Sequence, residues 1–573
     1  MSSYRSPLGV AAVLAAGLLS TPAVTSQSLP GHVIDQYRIS SFDGTFGGAL
    51  QSGDLFGFSL ATLRDLNGNG VDDLAIGAPL SNSGGVLGRG AVWIAMRKAD
   101  GTLDSQRKIS SGLNGFPDVL ANNMHFGISV AGLGDVNGDG VDDLAVGADP
   151  AGMPLNSGML WILFLQPNGE VAGVQQIADG VGGLELPGSW RSFGTSLTGV
   201  GDIDGNGVPD LAVGYDNELS GGGPAAGVAL LRLDATGNVL PGGTSVIDAS
   251  VGNGLEGIGF GFGNSIASLG DVDGNGIVDL AVGERHGGQS LGDVDLVWIV
   301  FLGPGGTVIG SQPIGIGVGG LQGFPEPKCD FGASVAALGD IDADGVPDLV
   351  VGSASAISSP VQRGLWFLTL DATGQVRTQR RVDIGIGGMA HDDDGDLLEG
   401  FGFSVACLGD SNGDGVVDVV AGEPYDAPDQ FGTWIGSVTE LRLSGSTWQS
   451  VGGGLAGSGG LPQLIGAGTM LPSSPFSIDV YDGAPLAPAW LVLGATELSA
   501  PFKQGVLVPF PDVIGSLGTL DAAGSLRITG SWPVGFPDGF EAWAQLWIVD
   551  AGAGPGGYAA TNGLRLRTPS TDG

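Results

Sequence analysis

Short apolar runs alternate with clusters of Gly, Asp and Asn along most of the chain. Leu144-Ala-Val-Gly147 and Leu160-Trp-Ile-Leu163 are typical runs, and Asp100-Gly101, Asn168-Gly169 and Thr373-Gly374 are typical breaks. Runs this short, rich in Val, Ile, Leu and Trp and bounded by turn residues, predict strands joined by tight turns. No segment sustains the 3.6-residue period of an amphipathic helix. The pattern therefore predicts an all-β chain.

The pattern also repeats. Phe-Gly begins a unit at Phe56, Phe126, Phe193, Phe262, Phe331 and Phe401, and an Asp follows nine residues later in all six copies. Those Asp residues are Asp65, Asp135, Asp202, Asp271, Asp340 and Asp410, at steps of 70, 67, 69, 69 and 70 residues. Each unit reads as a short strand, an Asp-rich loop, an apolar strand, a Trp-bearing strand such as Val92-Trp-Ile-Ala95, a turn, and a fourth strand such as Gln106-Arg-Lys-Ile109. Four strands per unit, repeated at a fixed period, predict a β-propeller. The units lie near 56–125, 126–192, 193–261, 262–330, 331–400 and 401–451.

His32 to Ser41 (HVIDQYRISS) resembles the fourth strand Thr102 to Ser111 (TLDSQRKISS) but precedes the first full unit. It is expected to pair into the last unit, whose own fourth strand, around Trp448, is short. That pairing joins the ends of the ring and removes two open sheet edges. The expected propeller spans 32–451 with six blades, seven being the alternative.

The loop reads D-x-[DN]-[GA]-[DN]-G-x-x-D. Calcium takes six to eight oxygen ligands, and a tight turn can present them from alternate positions. Positions 1, 3, 5 and 9 offer side-chain oxygens and position 7 a backbone carbonyl; glycine at position 6 permits the sharp turn. The candidate ligands are Asp65, Asn67, Asn69, Val71 and Asp73; Asp135, Asn137, Asp139, Val141 and Asp143; Asp202, Asp204, Asn206, Val208 and Asp210. Three further loops add Asp271, Asp273, Asn275, Ile277 and Asp279; Asp340, Asp342, Asp344, Val346 and Asp348; Asp410, Asn412, Asp414, Val416 and Asp418. Up to six Ca2+ are expected. An EF-hand would need a ligand at position 12 and flanking helices. Position 12 here is Ile76, Val146, Val213, Val282, Val351 or Ala421, and the flanks are strand-like, which excludes it.

Phe-Gly, the calcium loop and then Gly77-Ala-Pro79 resemble the FG-GAP repeat of integrin α-subunit propellers. The last element drifts in other copies, as in Gly214-Tyr-Asp216 and Gly422-Glu-Pro424. The resemblance covers roughly residues 32–450 and is nearest to large secreted bacterial FG-GAP proteins. It implies calcium loops between strands 1 and 2 on one face, and a protein or glycan ligand held by loops on the other. The integrin ring has seven blades, and the other integrin domains are missing, so integrin function itself does not carry over.

Composition refines this picture. The 573 residues include 109 Gly without a Gly-X-Y period, and 42% are hydrophobic, which fits packed strands rather than a fibre. The formal net charge of −39 disfavours nucleic acid and anionic membrane surfaces. The ligand positions of the six loops carry 18 carboxylates, and six divalent ions would cancel 12 charges, so a solvated acidic surface accounts for the rest. Residues 1–26 read as a signal peptide: Arg5 is followed by a Leu8–Leu19 apolar stretch and small residues, giving a secreted or cell-surface protein with no membrane insertion after cleavage. A retained anchor is the alternative. Cys329 and Cys407 fall at different phases of the repeat and are expected to be buried free thiols, a single bridge between them being the alternative.

Residues 452–460 (GGGLAGSGG) read as a linker, and 461–573 as a separate β-sandwich without the loop. The resemblance is to β domains that end secreted bacterial repeat proteins. Four His form no metal-spaced pair, no G-x-S-x-G elbow occurs, and the Ser of F-G-x-S (Ser59, Ser129, Ser196, Ser265, Ser334, Ser404) recurs six-fold, as a packing residue does. A non-catalytic adhesion or binding module is expected. The alternative is a polysaccharide hydrolase or lyase using Glu284 or Asp392, the latter in the acidic stretch His391 to Asp396.

Overall fold

A computed structural model describes residues 32–567, apart from 42–43, 83–87, 151–157, 187–191, 217–225, 249–254, 256–257, 260, 286–294, 322–329, 343, 355–363, 384–399, 412–416, 428–433, 445–447, 453–454, 456, 459–461, 468–474, 482, 504, 522–523, 533–539, 554–556 and 562. The signal segment, Cys329, His286 and the acidic stretch 391–396 lie outside the described residues. Two compact units result: Val33–Gly339 with Val346–Leu443, and the described residues from Ser444 onward with Asp340–Gly345.

The first unit holds six four-stranded antiparallel sheets. Blade 1 comprises Leu60–Leu63, Asp73–Ala78, Ala91–Arg97 and Leu103–Ile109 in spatial order, and blades 2 to 5 repeat this succession. Blade 6 is different. Its inner three strands are Ser404–Gly409, Asp418–Glu423 and Ser437–Ser444, and its outer strand is the N-terminal His32–Ile39. The first strands of successive blades are neighbours around a closed cycle, with blade 6 beside blade 1. Six blades therefore complete the ring.

The second strands of blades 1, 2, 4, 5 and 6 are wholly buried, as in Asp73–Ala78 and Asp143–Ala148. Continuous apolar runs there reflect burial on both faces rather than alternation. The Phe of every Phe-Gly is also buried. In blade 2, Phe126 packs edge-on against Trp161 of the third strand, 5.6 Å between centroids. The repeated Ser ties the blades together. Ser59 Oγ donates to Gly127 O (2.9 Å), Ser129 to Gly194 O, Ser196 to Gly263 O, Ser265 to Gly332 O and Ser334 to Gly402 O. Ser404 completes the series on Gly57 O at 2.7 Å. Each acceptor is the glycine of the next Phe-Gly. A glycine near the end of the second strand makes room for this bond: a Cβ on Gly283 would stand 2.2 Å from both Gly332 O and Ser265 Oγ.

In the second unit, Trp448–Gly452, Gly563–Arg567, Glu541–Val549, Pro488–Gly494 and Val513–Thr519 lie side by side in one sheet. A second sheet has Gln463–Ala467, Pro475–Tyr481 and Leu526–Ser531. Leu464, Ile478 and Ile528 from the latter share one core with Leu491, Ala544 and Leu564 from the former, giving two layers. Two expectations are corrected here. Trp448–Gly452 is not the last blade's fourth strand; it pairs with Gly563–Arg567. Leu455, read as linker, exchanges backbone hydrogen bonds with Ala560. The cause is hydrogen-bond completeness: the N-terminal strand fills the blade edge, so the Trp448 segment satisfies its backbone elsewhere.

Candidate metal centre

Each loop joins the first strand of a blade to the second. Its shape comes from side chains folding back onto their own backbone. In loop one, Asp65 Oδ1 accepts from the N–H groups of Gly68 and Asn69 (2.7 and 2.9 Å), and Oδ2 accepts from Gly70 (2.6 Å). Asp135 and Asp202 do the same in their loops. Asp271 and Asp340 accept from positions 5 and 6. The Gly207 N–H, followed by its loop neighbours, holds Asp202 below the usual carboxylate range. Gly70 has φ +87°, which a residue with a Cβ rarely adopts, and Gly140, Gly207, Gly276 and Gly345 match it.

Positions 3 and 5 continue the turn. Asn67 Oδ1 accepts from Asn69 N–H (3.0 Å) and Asn69 Oδ1 from Val71 N–H (2.8 Å). Asn137–Asp139–Val141, Asp204–Asn206–Val208 and Asp273–Asn275–Ile277 repeat the pair of bonds. Asp342 accepts from Asp344 N–H at 3.2 Å. Where position 5 is Asn, its amide also reaches the third strand: Asn69 Nδ2 donates to Arg97 O, Asn206 to Leu233 O and Asn275 to Leu302 O.

Position 9 is a buried carboxylate opening the second strand. Asp73, Asp143, Asp210, Asp279, Asp348 and Asp418 are all 0% exposed. One oxygen accepts from the third strand: from Arg97, Leu165, Leu233, Leu302, Leu370 and Leu443 N–H, at 2.8–3.1 Å. The other accepts from position 2 in the first four loops: Leu66, Val136, Ile203 and Val272. Burial pushes Asp73 and Asp210 up to about 6 and Asp143 up to about 7, opposed by those N–H bonds; Asp279 is raised for the same reason. These groups are acids strained by burial, and a cation beside them would favour their ionised form.

Ligand-capable oxygens converge in three loops: Asp202, Asp204 and Asp210; Asp271, Asp273 and Asp279; and Asp340, Asp342 and Asp344, each set within 4.8 Å. An all-oxygen set with several carboxylates suits a hard cation of calcium's kind. Loop one has carboxylates at only two ligand positions, Asp65 and Asp73, with Asn67 and Asn69 at positions 3 and 5. Asp410 and Asp418 flank Asn412, Asp414 and Val416, which lie outside the described residues.

A model of the FG-GAP repeat matches residues 56–94, 126–163 and 331–365. The chain carries FG-GAP repeats. They are homologous to the N-terminal propeller of integrin α subunits. Similar proteins include integrin alpha-PS2 of Drosophila melanogaster, 39% identical over 189 residues, which are 32% of this chain and 13% of the relative. Integrin alpha-V of Gallus gallus is 38% identical over 169 residues, 28% of this chain and 14% of its own length. The matches thus span about a seventh of these relatives. The FG-GAP geometry extends beyond the three matched segments, since the loops at Asp202 and Asp271 fold in the same way. Among the described residues no helix is long and apolar enough to cross a membrane.

Sequence reasoning missed a buried pair between the third strands of blades 1 and 6, Arg97 and Glu440. Their only signal was charge at positions where other copies are apolar. Glu284, the alternative catalytic carboxylate, is fully buried and accepts from Trp298 Nε1 and Gly259 N–H, both at 2.5 Å. Both its oxygens are used in holding the fold.

Proposed function

We propose that this is a secreted, calcium-stabilised binding or adhesion module without catalytic activity. The observation that carries the reading is the convergence of Asp202, Asp204 and Asp210, repeated at Asp271, Asp273 and Asp279, in loops that tie first to second strands. In this reading positions 1, 3, 5 and 9 and the position-7 carbonyl of all six loops hold Ca2+, which supplies charge neutralisation rather than chemistry. Position 9 is the pivot, because it links the ion site to the third strand. The ion binds the folded loop and not the open chain, so it stabilises the blade through mass action.

A protein or glycan ligand would use the loops on the face opposite the calcium loops, as the integrin likeness suggests. Residues 1–26 would direct export. Extracellular protein and glycan arrays, probed with calcium and with chelator, test this. Stable, calcium-dependent binding to a discrete ligand class supports it; turnover of a polymer without stable binding refutes it in favour of a hydrolase or lyase.

A further inference from the structure

A ring of similar blades has a recognition problem, because every blade offers its neighbour nearly the same surface. Two buried positions on the third strand, three residues apart, form part of that surface in every blade. The first lies opposite the centre of the second strand. It is Ile94, Ile162, Leu230, Ile299 and Phe367 in blades 1 to 5, and Glu440, opposite Val420, in blade 6. The second donates its N–H to the position-9 carboxylate. It is Leu165, Leu233, Leu302, Leu370 and Leu443 in blades 2 to 6, and Arg97 in blade 1.

At four junctions the first position of one blade lies in the same buried apolar cluster as the second position of the next. Ile94 shares an apolar cluster with Leu165, Ile162 with Leu233, Leu230 with Leu302, and Ile299 with Leu370. The two charged exceptions meet each other. Arg97 Nη2 lies 2.7 Å from Glu440 Oε1, Arg97 Nε donates to Oε2 at 3.2 Å, and both side chains are 0% exposed. Arg97 Nη1 also donates to Asp72 O, and Ser411 Oγ donates to Glu440 Oε1. Arg442 Nε stands 3.7 Å from the same Glu440 oxygen. This is the junction where blade 6 closes on blade 1.

We infer that the Arg97–Glu440 pair is a closure key that selects which two blades end the ring. A buried ion pair adds little over an apolar pair of similar volume, whereas burying one charge without its partner is strongly unfavourable. Blade 6 docked on any blade with Leu at the second position would bury Glu440 without Arg97, leaving it only the longer 3.7 Å contact to Arg442 of its own blade. Blade 1 docked on a blade with Ile, Leu or Phe at the first position would bury Arg97 without Glu440. A ring that closes early, blade 5 on blade 1, is therefore rejected, while the native closure satisfies both charges. The pair acts on fidelity of assembly more than on final stability.

Refolding of the full chain from guanidinium with calcium present tests this. Monomer recovery is read by size-exclusion chromatography with light scattering, and Tm by calorimetry. Arg97→Leu and Glu440→Ile singly lower Tm. The double variant, which installs the apolar pair of the other junctions, regains at least the wild-type Tm but yields about twofold less native monomer, with the rest misclosed or oligomeric. A double variant that refolds with wild-type yield, shows the sum of the two single losses, or fails to fold overturns the inference.

Discussion

Calcium removal is the sharpest test of the loops. Three loops bring three carboxylates each within 4.8 Å. Extracellular sites bind at about 10⁻⁴ to 10⁻³ M, so about 10 mM calcium would stabilise each by about 1.4–2.7 kcal/mol. Three sites give roughly 4–8 kcal/mol. At about 2.1 cal/mol/K per residue, a unit of roughly 400 residues then melts about 5–10 °C higher with calcium than with chelator. The gain should depend on pH. Burial lifts Asp143 to about 7 and Asp210 to about 6, so protons compete with the ion below those values. Differential scanning calorimetry at pH 7.5 and pH 5, each with calcium and with chelator, measures both effects. An unchanged Tm at pH 7.5, or a larger gain at pH 5, would refute the reasoning.

The metal-free protein should show the opposite pH trend. Its position-9 carboxyls keep protons that the unfolded chain, titrating near 3.8, has already released, so stability is fullest near pH 4 and falls as pH rises through about 6–7; chelated melts across this range check the sign. Asp143→Asn places an amide donor against the N–H of Leu165 or Val136 and should cost about 1–3 kcal/mol without calcium, with loss of that ion, by denaturant titration and metal analysis. Gly283→Ala forces a methyl against Gly332 O and should cost about 1–3 kcal/mol or more, whereas Ser265→Ala should cost only about 1 kcal/mol; paired melts distinguish them. Deleting residues 32–39 leaves Ser437–Ser444 as an open edge, and light scattering should then show self-association.

Much of the fold was legible because the repeat writes the same physical demand six times. Phe-Gly, the fixed nine-residue step and the glycine at position 6 each answer a local requirement: a buried ring, a strand of set length, a positive φ. The candidate ligands were legible for the same reason, since a loop that folds onto itself needs no distant residue. The F-G-x-S serine was recognised as a packing residue, but its acceptor was not, because Ser404 and Gly57 lie 347 residues apart. The Trp448 segment misled because an apolar strand carries no mark of which sheet will complete its hydrogen bonds.

The chain by itself therefore determined its strands, its repeat, its loops and the oxygen donors within each loop, all consequences of short-range geometry. Only the tertiary structure decided the rest. It showed that six blades close, that position 9 is fully buried against the third strand, and that Trp448–Gly452 belongs to the second unit. It also brought Arg97 and Glu440 together across the whole length of the ring. Burial and charge pairing are properties of neighbours far apart in sequence, and no local pattern encodes them.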